Sequence, residues 1–352
     1  MNARYVYAII PAGKKLVFEV AGVAGHSSRV YTVPGPQCAA VVSASPLADY
    51  RGLTRERAVP YLVAHQRVLE AVMQDWPLLP VKFGTVLRNT AQVRRVLAQG
   101  EALFRITLAR FAGLVQMEVV ILWDLPQVFR EIGQEGPIAS LKAQLAGRPA
   151  EETTAGRIVV GQLVYAALER RRAALRNHAL ESLRPAAVDL VVVPPLEDQV
   201  AANLALLVDQ PGRERLDRQL EALDRESGGQ LRFRCVGPLP PHSFASVQIE
   251  TSSDDAAEEA WHRLGLGATT TPDEVRQVYH RLAGQLHPDR NPADAAAQSR
   301  MAELTLAYDF LTTYIDSRAR TNGKAHPSAA RFGCREVKRA LLIGVERQEL
   351  KG

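Results

Sequence analysis

A proline divides the most strongly patterned part of this sequence into two runs, and both runs have helical spacing. In "TTTPDEVRQVYHRLAGQL", residues 269–286, Thr271 stands where an N-cap belongs, Pro272 takes the first helical position and Glu274 follows three residues after the cap. That is a capping box, in which cap and third residue satisfy each other's backbone amides. Val275, Val278, Tyr279, Leu282 and Leu286 then fall at offsets 0, 3, 4, 7 and 11, a single apolar stripe, and the other face carries Arg276, Gln277, His280, Arg281 and Gln285. Pro288 ends the run, because proline disfavours a helical conformation in the residue before it and has no backbone N–H to donate. Leu304, Tyr308, Leu311 and Ile315 begin the pattern again at offsets 0, 4, 7 and 11. Two amphipathic helices joined by a short loop pack antiparallel, so the spacing predicts a hairpin with His287, Pro288 and Asp289 at its exposed tip. Polar groups at such a tip have no core role, and a turn that spells His-Pro-Asp by accident is the weaker reading.

The rest of the chain needs its own fold. At 352 residues it is long enough for two or three domains of roughly 100 to 200 residues each. Its 43 basic and 38 acidic residues leave a net charge of +5, too small an excess to point to nucleic acid. The excess sits at the end: residues 258–316 hold nine acidic and five basic side chains, residues 317–352 three and nine. Cys38, Cys235 and Cys334 are odd in number and far apart, which supports neither a disulfide framework nor a zinc knuckle and fits a reducing cytoplasm. The start, "MNARYVYAIIPAGKK", has too short an apolar run for a signal peptide, and no window offers the 18 or so apolar residues of a membrane span.

Residues 1–113 open with the strand candidates "YVYAIIP", "KLVFEVAG" and "CAAVVSAS". A helix follows in which Thr54 is the cap and Ala58, Leu62, His65, Leu69 and Val72 form one stripe. His65 has no second ligand or carboxylate at a helical spacing, so it reads as a packed, hydrogen-bonded histidine rather than a site residue. "WPLLPVKFGTVL" is a strand interrupted by Pro80 and Gly84, and two short helices complete the segment. Residues 114–251 read as strand "VQMEVVILW", a helix over 157–183, strands "VDLVVVP" and "NLALLVD", a helix ended by Gly228 and Gly229, and strand "QLRFRCVG". The order β, α, β, β, α, β is that of a ferredoxin-like unit with an enlarged first helix. The expected class is therefore α+β: two sandwich-like α/β domains, the second ferredoxin-like, then an all-α helical hairpin over 256–316 and a basic tail over 317–352.

No phosphate loop, nucleophile elbow, dinucleotide-binding glycine pattern or H-E-x-x-H occurs, and the histidines are scattered. The expectation is no enzyme, no catalytic residues, no metal and no cofactor. The run Arg170, Arg171 and Arg172 reads as a solvated helix face before an anionic partner site, and the sheet lacks RNA-recognition aromatics.

"AWHRLGL", "EVRQVYHRLAGQLHPDRNP" and "MAELTLAYDFLTTY" together resemble a J-domain of the DnaJ family over about 60 residues. The resemblance implies that His287, Pro288 and Asp289, with the basic face Arg276 and Arg281 and Arg290 beside the loop, engage a DnaK-type chaperone and trigger its ATP hydrolysis. Arginines fork onto carboxylates and an Asp pairs with a partner arginine, as such docking requires. Where the family usually has lysine this chain has Gln277 and Gln285, and where it has a larger residue this chain has Gly284. Over residues 4–250, "YVYAIIPA", "AHQRVLEAVM" with "LLPVKFGTVL", "VAANLALLVD" and "GPLPPHSF" resemble the gas vesicle accessory proteins of the GvpF/GvpL family. That resemblance implies a non-enzymatic protein that binds the hydrophobic shell subunit and works with other accessory gas vesicle proteins. Leu239 and His242 depart from the aromatic pair more usual there.

The tail "REVKRALLIGVERQELKG" places Val337, Leu341 and Val345 on one face of a short amphipathic helix, docked on the body or facing a partner or membrane surface. "SSDDAAEEA" reads equally as a tether or as the start of a helix. The functional expectation is a cytoplasmic assembly factor for gas vesicles that summons a DnaK-type chaperone. The alternative is a general DnaJ-like stress co-chaperone whose front domains bind clients.

Overall fold

The structure, a computed structural model, describes residues 3–11, 15–195, 197–251, 254–287, 290, 296–321, 331–338 and 341–347. It divides into two compact units, Met1–Ala112 with Ala245–Glu346, and Gly113–Phe244 with Arg347–Gly352.

In the first unit, strands β1 (Ala3–Pro11), β2 (Val17–Gly22), β3 (Gly25–Pro34), β4 (Cys38–Ser45) and β5 (Leu79–Pro80) lie in the order β2-β3-β4-β1-β5, and β6 (Val86–Leu87) also pairs with β1. Every pairing is antiparallel. β1 is an interior strand, flanked by β4 on one side and by β5 and β6 on the other, and Tyr5 to Ile10 are buried on both of its faces, which is why this strand reads as a continuous apolar run. Helix α1 (Arg55–Met73) closes the face that carries Tyr5, Tyr7 and Ile10, with Val68, Leu69 and Val72 buried against them. Its buried stripe is Ala58, His65, Val68, Leu69 and Val72; Leu62, expected on that stripe, is 42% exposed beside Val59 and Val63. Helices α2 (Thr90–Gln99) and α3 (Glu101–Phe111) also pack on β1 and β4. Gly84 turns the chain between β5 and β6 at φ +79°, and a Cβ there would meet Arg51 Cγ at 2.7 Å.

The second unit starts with β7 (Val115–Trp123), continues through helices α4 (Leu125–Ile132), α5 (Gly136–Leu145) and α6 (Ala150–Leu183), then β8 (Asp189–Val192), β9 (Val200–Val208), α7 (Gln210–Ser227) and β10 (Leu231–Leu239). The antiparallel order β10-β7-β9-β8 is the ferredoxin-like arrangement. α6 and α7 cover one face, burying Ala179, Leu183, Leu216 and Leu223 against Val119, Ile121, Leu204 and Leu206. The enlarged first crossover is three helices rather than one, since Pro126 and Pro137 restart the chain at the first turns of α4 and α5. Gly237 sits at φ +148° where a Cβ would meet Met117 Sδ at 2.6 Å.

The chain then returns to the first unit. β11 (Ser246–Thr251) is bridged to it through Val247, which pairs in parallel with Val81 and accepts from Lys82 N–H at 2.9 Å. Three helices follow, α8 (Asp254–Arg263), α9 (Pro272–Leu286) and α10 (Ala297–Thr321), then the short α11 (Cys334–Lys338) and β12 (Leu341–Glu346). α8 begins at Asp254, three positions after the last residue of β11, so from Asp254 onward "SSDDAAEEA" is the start of a helix. The tail also departs from expectation. α11 buries Val337, but Leu341–Glu346 is a strand that pairs residue for residue with β11, from Leu341 opposite Thr251 to Glu346 opposite Ser246. Helical spacing in a short apolar run cannot tell a helix from a strand, and here a partner strand distant in sequence decided it.

Candidate functional site

The predicted docking helix is α9, and its start is built as the sequence requires. Glu274 N–H donates to Thr271 Oγ1 at 3.2 Å, Thr271 N–H donates to Glu274 Oε2 at 3.0 Å, and Pro272 occupies the first turn. The apolar stripe faces α8 and α10: Val275 is fully buried, and Val278, Tyr279, Leu282 and Leu286 pack on the cluster of Trp261, Leu304 and Leu311. The Tyr279 and Tyr308 rings stack at 4.0 Å between centroids, which fixes the register of the hairpin. Arg263, paired within α8 with Glu259, ties α8 to α10 through Glu303.

On the outer face Arg276, Gln277, His280, Arg281 and Gln285 are exposed. Arg276 lies 3.7 Å from Asp273, but side chains 58% and 75% exposed form a pair too well solvated to withhold the guanidinium from a partner. His287 leaves the helical conformation at ψ 131° and ends the helix. Arg290 turns back onto it: its N–H donates to His287 O at 3.0 Å and Nη1 donates to Gly284 O at 3.2 Å. A cation there satisfies a last-turn carbonyl and meets the negative end of the helix dipole. Among the predicted site residues, then, Arg276 and Arg281 share the outer face, and His287 and Arg290 mark the end of the helix. Pro288 and Asp289 lie outside the described residues. That Arg290 serves the helix end has a signal in the sequence, a basic residue just past a proline stop, which the resemblance alone assigns to the partner.

In the front of the chain, His65 is packed and hydrogen-bonded. Gly84 N–H donates to Tyr5 Oη at 2.9 Å, so the Tyr5 hydroxyl is turned to donate to His65 Nδ1 at 3.0 Å. Burial holds His65 down to about 4 and keeps it neutral. Among the described residues no group of three or more His, Cys, Asp or Glu side chains is placed to hold a metal ion, and no helix is long and apolar enough to cross a membrane.

Known families match both parts of the chain. The family model of the gas vesicle synthesis protein GvpL/GvpF matches residues 3–246, and that of the DnaJ domain matches residues 259–321. Gas vesicle protein F of Microcystis aeruginosa is 25% identical over 191 residues, covering 53% of this chain and 78% of that protein. Gas vesicle protein L1 of Halobacterium salinarum is 25% identical over 257 residues, covering 69% of this chain and 90% of that protein. Chaperone protein DnaJ of Ehrlichia ruminantium is 46% identical over 48 residues, which is 14% of this chain and 13% of that chaperone. The crystal structure of GvpF from Anabaena sp. PCC7120 superposes with a TM-score of 0.56 at 24% identity, over 68% of this chain and 97% of that one, and has the same fold.

Proposed function

The chain belongs to the GvpL/GvpF family of gas vesicle synthesis proteins and carries a DnaJ domain behind it, and on that premise we propose a non-enzymatic assembly factor that brings a DnaK-type chaperone to the gas vesicle shell subunit. The reading is carried by one observation: a GvpL/GvpF segment and a J-domain share one polypeptide, and the J-domain's second helix leaves Arg276 and Arg281 open to solvent. The front of the chain holds the shell subunit and other accessory gas vesicle proteins, at vesicles under assembly in the cytoplasm. A subunit that must present apolar surface to gas aggregates before assembly, and a chaperone delivered to it covers that surface. His287, Pro288 and Asp289 trigger the chaperone, while Arg276, Arg281 and Arg290 hold it by charge-assisted bonds.

The test is ATP turnover by a DnaK-type chaperone with the full chain and with Asp289→Asn. Stimulation by the wild type and its loss in the variant is the expected result; equal stimulation, or none from either, sinks the reading. Capture of a shell subunit in preference to a pool of unfolded proteins separates it from a general co-chaperone.

A further inference from the structure

The segment after α10 returns to the loop that starts α9. Phe332 exchanges two backbone hydrogen bonds with Thr270, each 2.9 Å from N to O. Arg331 reaches over the same loop: Nε donates to Thr269 Oγ1 at 3.1 Å, Nη2 donates to Thr269 O at 3.2 Å, and Nη1 lies 3.5 Å from Glu274 Oε1. The Glu274 carboxylate thus holds its second oxygen on the capping box and turns its first towards Arg331. Behind this contact the Phe332 ring, 1% exposed, sits edge-on to Trp261 of α8 at 5.9 Å and against Tyr314 of α10 at 5.2 Å. Further on, Ile343 N–H donates to the buried Ser317 Oγ of α10 at 2.9 Å, and β12 then pairs with β11, which is bridged to the front sheet at Val247. One segment therefore touches α8, α10 and the start of α9, and ends on a ribbon fixed to the first domain.

We propose that residues 331–338 and 341–346 act as a strap that sets the position of α9, with Arg331 and Phe332 as positioning residues for docking of a DnaK-type chaperone. This rests on the reading of α9 as the docking helix. The strap's bonds lie at the foot of the hairpin, where α9 begins and α10 is near its end, so they hold α9 at the end away from His287. A helix held at its start presents Arg276 and Arg281 in one orientation. A loosened one is competent for only part of the time, and apparent affinity falls by that fraction. The maximal stimulated rate, which depends on the tip, is unchanged.

Full-length Arg331→Ala, Phe332→Ala and Phe332→Leu are compared with the wild type by amide hydrogen exchange and by ATP turnover of a DnaK-type chaperone titrated with each. Arg331→Ala leaves the core whole, so it tests the strap even where Phe332→Ala fails to fold. In it, exchange in the first two turns of α9 rises about ten-fold while the second unit's sheet is unaffected, and half-maximal stimulation needs about ten-fold more protein at an unchanged maximum. Phe332→Leu recovers most of what Phe332→Ala loses. Unchanged α9 exchange in Arg331→Ala overturns the strap. Raised exchange with an unchanged half-maximal concentration overturns the positioning role, and so does a lowered maximum alone, which reports fewer folded molecules. A wild type that gives no stimulation ends the docking reading and the positioning role with it, and exchange still decides whether the strap holds the helix.

Discussion

His65 is held neutral by its neighbours, and its place in the core has a consequence for pH. The unfolded chain takes up a proton at this imidazole near pH 6.5, whereas the folded one resists it down to about 4. The contribution of this neutral histidine to stability is therefore complete above pH 6.5 and is lost as pH falls through that window, by roughly 3 kcal/mol in all. In His65→Gln an acceptor for Tyr5 remains but nothing titrates. Denaturant unfolding at intervals from pH 7 to 4 is expected to show the wild type losing more stability than the variant, and parallel curves would contradict the assignment. The sequence reads this residue correctly because a histidine on an apolar stripe with no second ligand has few alternatives. It reads Leu62 as buried beside it, but α1 turns Leu62 outward. A stripe of about 100° leaves its flanking positions to be decided by how the helix sits on the sheet.

Among the elements, α9 is the one whose ends and faces are most legible in the sequence. Cap, first-turn proline and stop each act within four residues of the group they satisfy, and the stripe repeats at steps of three and four. Gly284 is its weak point. Among the described residues a Cβ at that position would meet only Arg290 Nη1, at 3.9 Å, so Gly284→Ala has room. It is expected to stabilise the helix by about 1 kcal/mol, read as a higher midpoint in thermal unfolding of the full chain; a lower midpoint would mean the glycine is needed for the Arg290 cap. β3 is the opposite case. "GHSSRVYTVP" is polar through its first half and gives no strand signal, yet it pairs with β2 on one side and β4 on the other. A strand of this kind is held by backbone ladders to its neighbours, and a one-dimensional pattern does not display them.

At the scale of the whole molecule, the chain leaves the first unit at residue 112, builds the ferredoxin-like domain, and returns at 245 to finish what it began. The J-domain belongs to that first unit, joined through β11, β12 and Phe332. It is accordingly expected to unfold together with the front domain. Calorimetry or native-state hydrogen exchange should resolve two cooperative units rather than three, and a J-domain that opens by itself at lower temperature would contradict this. The α+β class, the ferredoxin-like order, the hairpin and the residues on its outer face all follow from spacing, caps and turn residues, because these act between near neighbours. The fate of the tail does not. Its strand, the packing of Phe332 on Trp261 of α8, and the hold of Arg331 on the start of α9 each join residues more than fifty positions apart. Partners so distant are chosen by burial and by unpaired backbone, quantities that exist only once the rest of the chain has folded around them.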